Sequence, residues 1–130
     1  MNEQGSMLPS MAALIFVGLV VVGLALDVTL LAATYREAAF SADVGAEAGA
    51  SQIAVDYDGQ LRLDILRAEL AAVESALAAR SRPGRSASST ADLTLVCVTV
   101  TDRYQPKILS AVGVGPTTVS VEACAEPQRG

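Results

Sequence analysis

The chain lacks histidine and tryptophan altogether, and its 130 residues include only two cysteines, three tyrosines and two phenylalanines. Without histidine it has neither the commonest general base nor the commonest metal ligand. Two cysteines alone are too few for a zinc site. The sequence also contains no Gly-x-Ser-x-Gly, Walker, HExxH or CxxC motif. We therefore expect no enzymatic activity, no cofactor and no bound metal.

Positive charge is also scarce, with 9 Lys and Arg against 14 Asp and Glu and a net charge of −5 at pH 7. Proteins that bind nucleic acid need clustered cations against the phosphate backbone. The one local cluster, Arg80, Arg82 and Arg85, lies in a Ser/Gly/Pro-rich stretch and is predicted to be a solvated loop. Nucleic acid is therefore not an expected partner.

Aliphatic residues are abundant and form one long apolar run, Leu8 to Ala33, with no charge between Met11 and Leu26. As a helix this run would span roughly 39 Å, against roughly 30 Å of bilayer hydrocarbon. A cleaved secretory signal would need a basic start and a shorter apolar core. A buried helix would need more apolar chain around it than this sequence offers. The run is therefore predicted to lie in a lipid bilayer or in the core of a filament.

Asp27 interrupts the apolar run, about 28 Å along the helix axis from Leu8. A carboxylate at the bilayer centre would cost about 2.5–3.5 kcal/mol, but this position is near the expected outer interface. Two interpretations remain open. Asp27 is either a membrane-boundary carboxylate that reaches water, which we favour, or a partner for a cation on a neighbouring subunit.

The helical pattern continues from Thr34 to Tyr57, without proline and with many alanines. Glycine inside a helix costs about 1 kcal/mol relative to alanine, and close approach of another backbone offsets such a cost. Both a seat for the chain's own C-terminal part and a subunit interface fit this pattern. The small residues predicted to form one packing face are Ala38, Ser41, Ala42, Gly45, Ala46, Gly49 and Ala50.

A second helix is predicted after the turn at residues 56–59, because leucines and a valine recur at three- and four-residue spacing. We expect this apolar stripe to pack on a sheet. Residues 81–90 are predicted to be a flexible connector by composition. The stripe consists of Leu63, Leu66, Leu70, Val73 and Leu77.

From Asp92 the apolar period changes to two, which predicts half-buried strands at residues 93–101 and 118–124. An antiparallel pairing that places Cys97 opposite Cys124 makes every valine point to the same face. This agreement predicts a disulfide that closes a loop of about 27 residues and contributes about 3–3.5 kcal/mol. Disulfides persist in oxidising compartments, which predicts that this part of the chain is extracytoplasmic.

The predicted fold class is α+β: a long N-terminal hydrophobic helix that continues outside the membrane, then a second helix packed on a small antiparallel sheet with one disulfide. Three segments follow from this division. Residues 1–7 are a short leader-like segment, residues 8–57 the transmembrane helix with its continuation, and residues 58–130 a small extracytoplasmic domain.

Several short motifs give the chain a family resemblance. They are GSMLP at residues 5–9, the acidic Asp27 after the apolar run, YREAA at 35–39 and AEAGA at 46–50. With these motifs the chain resembles the TadE/TadG-like minor pilins (pseudopilins) of the tight-adherence (Flp) pilus system. In that family a Gly-Ser start leads into one hydrophobic helix with an acidic residue near its end. The closing strand VSVEACA, residues 119–125, also looks like that of the family.

The resemblance implies a single-pass subunit of the bacterial inner membrane, with its C-terminal domain extracytoplasmic, that helps to initiate, cap or decorate a type IV-like pilus. Its partners would be the bilayer and other pilin or assembly subunits. It also implies a peptidase cut between Gly5 and Ser6. Ser10 stands where processed members carry Glu, so an uncut member fits equally well. The alternative function is a membrane-anchored extracytoplasmic adaptor that never enters a filament.

Overall fold

A computed structural model describes residues 7–128 of the chain. Its α+β architecture agrees with the fold class predicted from the sequence. A 3₁₀ turn at Leu109–Val112 lies between the last two strands. The helices and strands are α1 (Met7–Ala50), β1 (Ile53–Val55), β2 (Leu61–Leu63), α2 (Ile65–Ala79), β3 (Ser86–Ala91), β4 (Val96–Tyr104) and β5 (Thr117–Ala125).

Helix α1 is continuous over 44 residues and therefore about 66 Å long. It includes both the apolar run and the small-residue segment, without a break near Tyr35. It ends at Ala50, seven residues before the predicted end at Tyr57. The chain then forms a two-stranded antiparallel hairpin, β1–β2, which the sequence did not predict. The predicted turn is the tip of this hairpin, where Gly59 has a φ of 74°.

The second sheet is antiparallel and has the strand order β3-β4-β5. Its register pairs Cys97 with Cys124, so the pairing predicted from strand phase is confirmed. The valines at 96, 98 and 100 are fully buried on one face. The alternate residues of β4 lie on the opposite, more accessible face.

Both helices cover the valine face of the three-stranded sheet. Helix α1 contacts β4 and β5, whereas α2 contacts β3 and β4 and also packs along α1. Gly45 lies against Ala76, and Gly49 lies against Ala68 and Ala72, so the two helices run antiparallel. The core is formed by small side chains from the helices and by valines from the sheet: Ala38, Ala42, Ala46, Ala50, Leu63, Ala68, Ala72, Ala76, Val96, Val98 and Val100.

The face of α2 that packs inward is not the predicted one. Leu66 and Leu70 are 73% and 67% exposed, whereas the buried residues of α2 are Ala68, Ala72 and Ala76. The reason is the close approach of α1 and α2, which leaves room for methyl groups but not for leucine. Leu66, Leu70 and Leu77 instead form an exposed apolar face on α2, whereas Leu63 of the predicted stripe lies in β2 and is buried.

The predicted connector at residues 81–90 is wrong in its second half, because Ser86 begins strand β3. Serine, alanine and threonine dominate this strand, so its composition resembles that of a linker. Its pairing with β4 supplies backbone hydrogen bonds that the local sequence does not reveal.

Candidate functional site

The first 16 residues of α1 stand free of the rest of the described chain. Every residue from 7 to 22 is exposed, and we call this segment the stem. It includes Phe16 at 67% and Leu19 at 66% exposure. By length and composition, α1 is apolar enough to cross a membrane. At 1.5 Å per residue the stem alone is about 24 Å long.

The second half of α1, from Gly23 to Ala50, lies with one face against the remainder of the chain. We call it the seated half. From Thr34 onward its buried positions recur every three or four residues, and Asp27 and Gly23 continue the same helical face at spacings of seven and four. The buried positions are Gly23, Asp27, Thr34, Ala38, Ser41, Ala42, Gly45, Ala46, Gly49 and Ala50.

The predicted small-residue packing face, Ala38, Ala42, Gly45, Ala46, Gly49 and Ala50, lies entirely within this buried stripe. Its partner is the chain's own helix and sheet. A Cβ at Gly45 would lie 2.6 Å from the main-chain oxygen of Ala72, and one at Gly49 would lie 2.9 Å from that of Ala68. The glycines therefore permit a backbone contact inside the molecule. This corresponds to the intramolecular seat, one of the two alternatives left open by the sequence.

Asp27 lies where the stem ends and the seated half begins. Its Oδ1 accepts a hydrogen bond from the backbone N–H of Lys107 at 2.9 Å, and its Oδ2 accepts from Ile108 at 3.1 Å and Leu109 at 2.7 Å. The hydroxyl of Tyr104 donates to the main-chain oxygen of Asp27 at 3.1 Å. We call this set of donors the Asp27 cradle. It ties the β4–β5 connection to α1.

The prediction that the Asp27 carboxylate reaches water is wrong, because Asp27 is only 3% exposed. Both of its carboxylate oxygens accept hydrogen bonds from its own chain, and pairing with a cation on a neighbouring subunit stays a prediction. The desolvation penalty of a carboxylate is offset when several N–H groups donate to it. Burial raises the pKa of the Tyr104 hydroxyl, and the negative charge of Asp27 raises it further, so the hydroxyl stays protonated and can donate.

Sequence reasoning missed both the donors of the cradle and the start of the seated half at Gly23. One signal was present: Gly23, Asp27, Thr34 and Ala38 continue the small-residue stripe at spacings of four and seven. The donors themselves lie about 80 residues away in sequence, in a loop whose position depends on the sheet.

Two of the three arginines predicted to form a solvated loop, Arg82 and Arg85, are instead bound to α1 and β4, whereas Arg80 is exposed. The Arg85 guanidinium donates to both carboxylate oxygens of Asp102, at 2.8 and 2.6 Å, and to Ser41 at 2.8 Å. Both charged side chains are 1% exposed. Hydrogen bonds to Asp102 raise the pKa of Arg85, against the effect of burial. Arg82 pairs with Glu37 at 3.3 Å.

The predicted disulfide between Cys97 and Cys124 is present on the accessible face of the sheet. Glu122 lies close to both sulfurs, but cysteines bonded to each other do not offer thiolates to a metal. Gly5 and Ser6, the predicted processing site, lie outside the described residues. The structure therefore leaves that prediction as it stands.

A surface groove of about 600 Å³ lies between the β1–β2 hairpin and the β3–β4 turn. Its lining is mainly aliphatic and amide side chains, with Arg62 as the charged member. Within the described part of the lining no pair of groups is suited to acid–base catalysis. The features with functional content are therefore the bare stem, the Asp27 cradle and the exposed leucine face of α2.

No protein-family model, no curated protein and no solved structure matches this chain. Its functional interpretation therefore rests on the geometry described above and on the sequence motifs.

Proposed function

We propose that this protein is a structural, non-enzymatic subunit of the minor-pilin (pseudopilin) type. The stem would anchor it in a bacterial inner membrane before assembly and pack among sister helices in a tight-adherence pilus afterwards. The α+β domain would lie outside the cytoplasm and cap or decorate the assembly. The motif resemblance of residues 5–50 points to the pilus system, and the physical case for an anchored subunit is independent of it.

The observation that carries the proposal is the bare stem. Nine large aliphatic or aromatic side chains between Leu8 and Val22 are each 45–79% exposed. Moving such residues out of water stabilises a protein by about 1.5–3 kcal/mol each, so even partial exposure leaves on the order of 10 kcal/mol unrealised. Only an apolar environment that surrounds the whole helix, either lipid or sister helices, recovers it.

The seated half explains how such a subunit keeps its shape when it changes environment. Its buried stripe, its glycine contacts and its arginine pairs join α1 to the domain along about 40 Å. The stem therefore continues directly into the helix on which the domain is packed, and no flexible tether separates the two. A subunit of this form transmits the position of its stem directly to its domain.

The disulfide supports an extracytoplasmic location for the domain, because such bonds persist in oxidising compartments. The exposed leucines of α2 support a role in assembly, because contiguous apolar surface on a soluble face marks an interaction site. Leu66 and Leu70 lie one turn apart on that face.

The alternative function is a membrane-anchored adaptor of an assembly or secretion machine that stays in the bilayer. It is favoured by the same stem and by Ser10, which stands where processed members of the family carry Glu. The two functions differ in the fate of the N-terminus and in the fraction of the cell where the protein is found.

The deciding experiment is intact-mass spectrometry of the protein from two fractions of its own cells, sheared surface filaments and washed membranes, with and without reductant. A chain that begins at Ser6 in the filament fraction supports the pilin function. A chain that begins at Met1 and occurs only in membranes supports the adaptor. Recovery in the soluble fraction without detergent would contradict both. A mass unchanged by reduction would contradict the extracytoplasmic assignment.

A further inference from the structure

We propose that the β4–β5 connection, residues 105–116, is a lipid-contacting loop that rests in the outer interface of the bilayer beside the stem. The inference depends on the proposed function, because it requires the stem to be in a membrane. It adds a second membrane contact, made by the domain itself. The ligand is the headgroup and upper acyl-chain region of an anionic phospholipid bilayer.

The height of this loop on α1 is fixed by two contacts. A Cβ at Gly23 would lie 2.6 Å from Cγ2 of Ile108, and the Asp27 carboxylate accepts hydrogen bonds from three successive backbone N–H groups that begin at Lys107. The loop therefore cannot shift along the helix without breaking these contacts. It lies beside residues 23–27.

The thickness of a bilayer places this level at the outer interface. A helix needs about 20 residues, or about 30 Å, to cross the hydrocarbon. Counted from Leu8, where the apolar run begins, the twentieth residue is Asp27. The stem is exposed on all sides only as far as Val22, a length of about 24 Å. The remaining depth lies beside residues 23–27, where the loop covers one face of the helix, so the loop itself meets the lipid.

The composition of the loop fits that environment. Ile108, Val112 and Val114 are 41%, 71% and 44% exposed. These aliphatic side chains lie on the surface of a short, mostly irregular connection. Between Arg103 and Thr117 the only charged residues are Arg103 and Lys107, both cationic, in a chain of net charge −5. An apolar segment preceded by two cations suits an interface with anionic headgroups.

The Asp27 cradle also meets a requirement of this environment. Backbone N–H groups that approach hydrocarbon must have acceptors, because water is not there to replace them. Asp27 supplies acceptors for three N–H groups of the loop, and its charge is turned away from the surroundings. The exposed leucine face of α2 does not lie at the level of the outer interface. Gly49, which contacts α2, is 22 residues from Asp27, so that face lies about 33 Å farther along the helix.

The test uses single-tryptophan reporters, because the native chain has no tryptophan. Three full-length variants are reconstituted into vesicles of phosphatidylcholine and phosphatidylglycerol whose acyl chains carry bromine at shallow or deep positions. Val112→Trp reports on the loop and Leu19→Trp on the stem. Leu66→Trp is the matched control, equally exposed on the distant face of α2. Val112 is mostly exposed, so the fold should accept the larger side chain.

We expect Val112→Trp to be quenched by shallow bromine and to emit at shorter wavelength than Leu66→Trp, which should remain unquenched. Leu19→Trp should be quenched most by deep bromine. Replacing phosphatidylglycerol with neutral lipid should reduce quenching at Val112 but not at Leu19. If Leu19→Trp is quenched while Val112→Trp and a second reporter, Val114→Trp, behave like Leu66→Trp, the loop does not touch lipid and the inference fails alone. If Leu19→Trp is also unquenched, the proposed function fails with it.

Discussion

Replacing Asp27 with alanine tests whether the cradle holds the β4–β5 connection on α1. The substitution removes the acceptor for the N–H groups of Lys107, Ile108 and Leu109 and leaves the helix backbone unchanged. Alanine also favours the helix more than aspartate does. Any loss of order in the loop therefore comes from the lost carboxylate and not from damage to α1.

The size of the effect follows from the number and type of hydrogen bonds. A hydrogen bond to a charged group contributes about 1.5–3 kcal/mol net. Three such bonds to one carboxylate are not additive, and water can reach the exposed side of the loop once it loosens. We therefore expect a loss of roughly 2–4 kcal/mol for Asp27→Ala. Asn at this position keeps one acceptor oxygen without the charge, but its NH₂ group would face N–H donors of the loop, so Asp27→Asn should also destabilise the contact.

Hydrogen exchange of the full-length protein in detergent micelles measures this loss locally. At about 1.4 kcal/mol per factor of ten, the amides of residues 107–109 should exchange roughly 30- to 700-fold faster in Asp27→Ala, with little change in the β3–β4 pairing. Asp43→Ala is the matched control, because Asp43 lies exposed on the same helix. Unchanged protection at 107–109 in Asp27→Ala would refute the assignment of the cradle as the contact that orders the loop.

Three further substitutions test the interior of the molecule. Gly45→Ala should lower stability by about 1–3 kcal/mol although alanine favours helices, since its Cβ would meet a main-chain oxygen of α2 at 2.6 Å. The control is Gly18→Ala on the exposed stem, which should not lower the melting temperature in detergent. Arg85→Met should cost about 3–5 kcal/mol by leaving the Asp102 carboxylate buried without its cation, and the double variant Arg85→Met/Asp102→Leu should recover much of that loss in urea unfolding; no recovery would contradict the pairing argument. Cys97→Ser opens a 27-residue loop and should cost about 3–3.5 kcal/mol; a melting temperature equal to that of wild type would show that the bridge does not stabilise the fold.

The packing face of α1 and the second helix show what residue spacing along a helix predicts correctly and what it does not. The spacing of Gly45 and Gly49 identified a face where a backbone comes close, and that face is buried. The same kind of argument failed on α2, where Leu66 and Leu70 were predicted to be inside and alanines take their place. An apolar period identifies the faces of a helix. It does not show which face packs against a partner helix when one face carries large side chains and the other carries small ones that permit close contact.

The arginine pairs illustrate a different limit. Arg82 and Arg85 stand in a stretch rich in serine, glycine and proline, which by composition indicates a loop. Whether such a loop is solvated depends on the charges that face it from elsewhere in the chain. Asp102 and Glu37 are 17 and 45 residues from their respective partners, and nothing in the local sequence relates them.

The sequence by itself determined the features that depend on local chemistry. These are the apolar stem, the continuation of α1 as a helix with a small-residue face, and the register of β4 with β5, which the phase of the valines and the two cysteines together allow in only one way. Tertiary structure alone decided which helix face lies inside, where the arginines bind, and that Asp27 is buried in a cradle rather than open to water. Those outcomes depend on contacts between residues far apart in the chain, whose distances are set by how closely the backbones of α1, α2 and the sheet can pack.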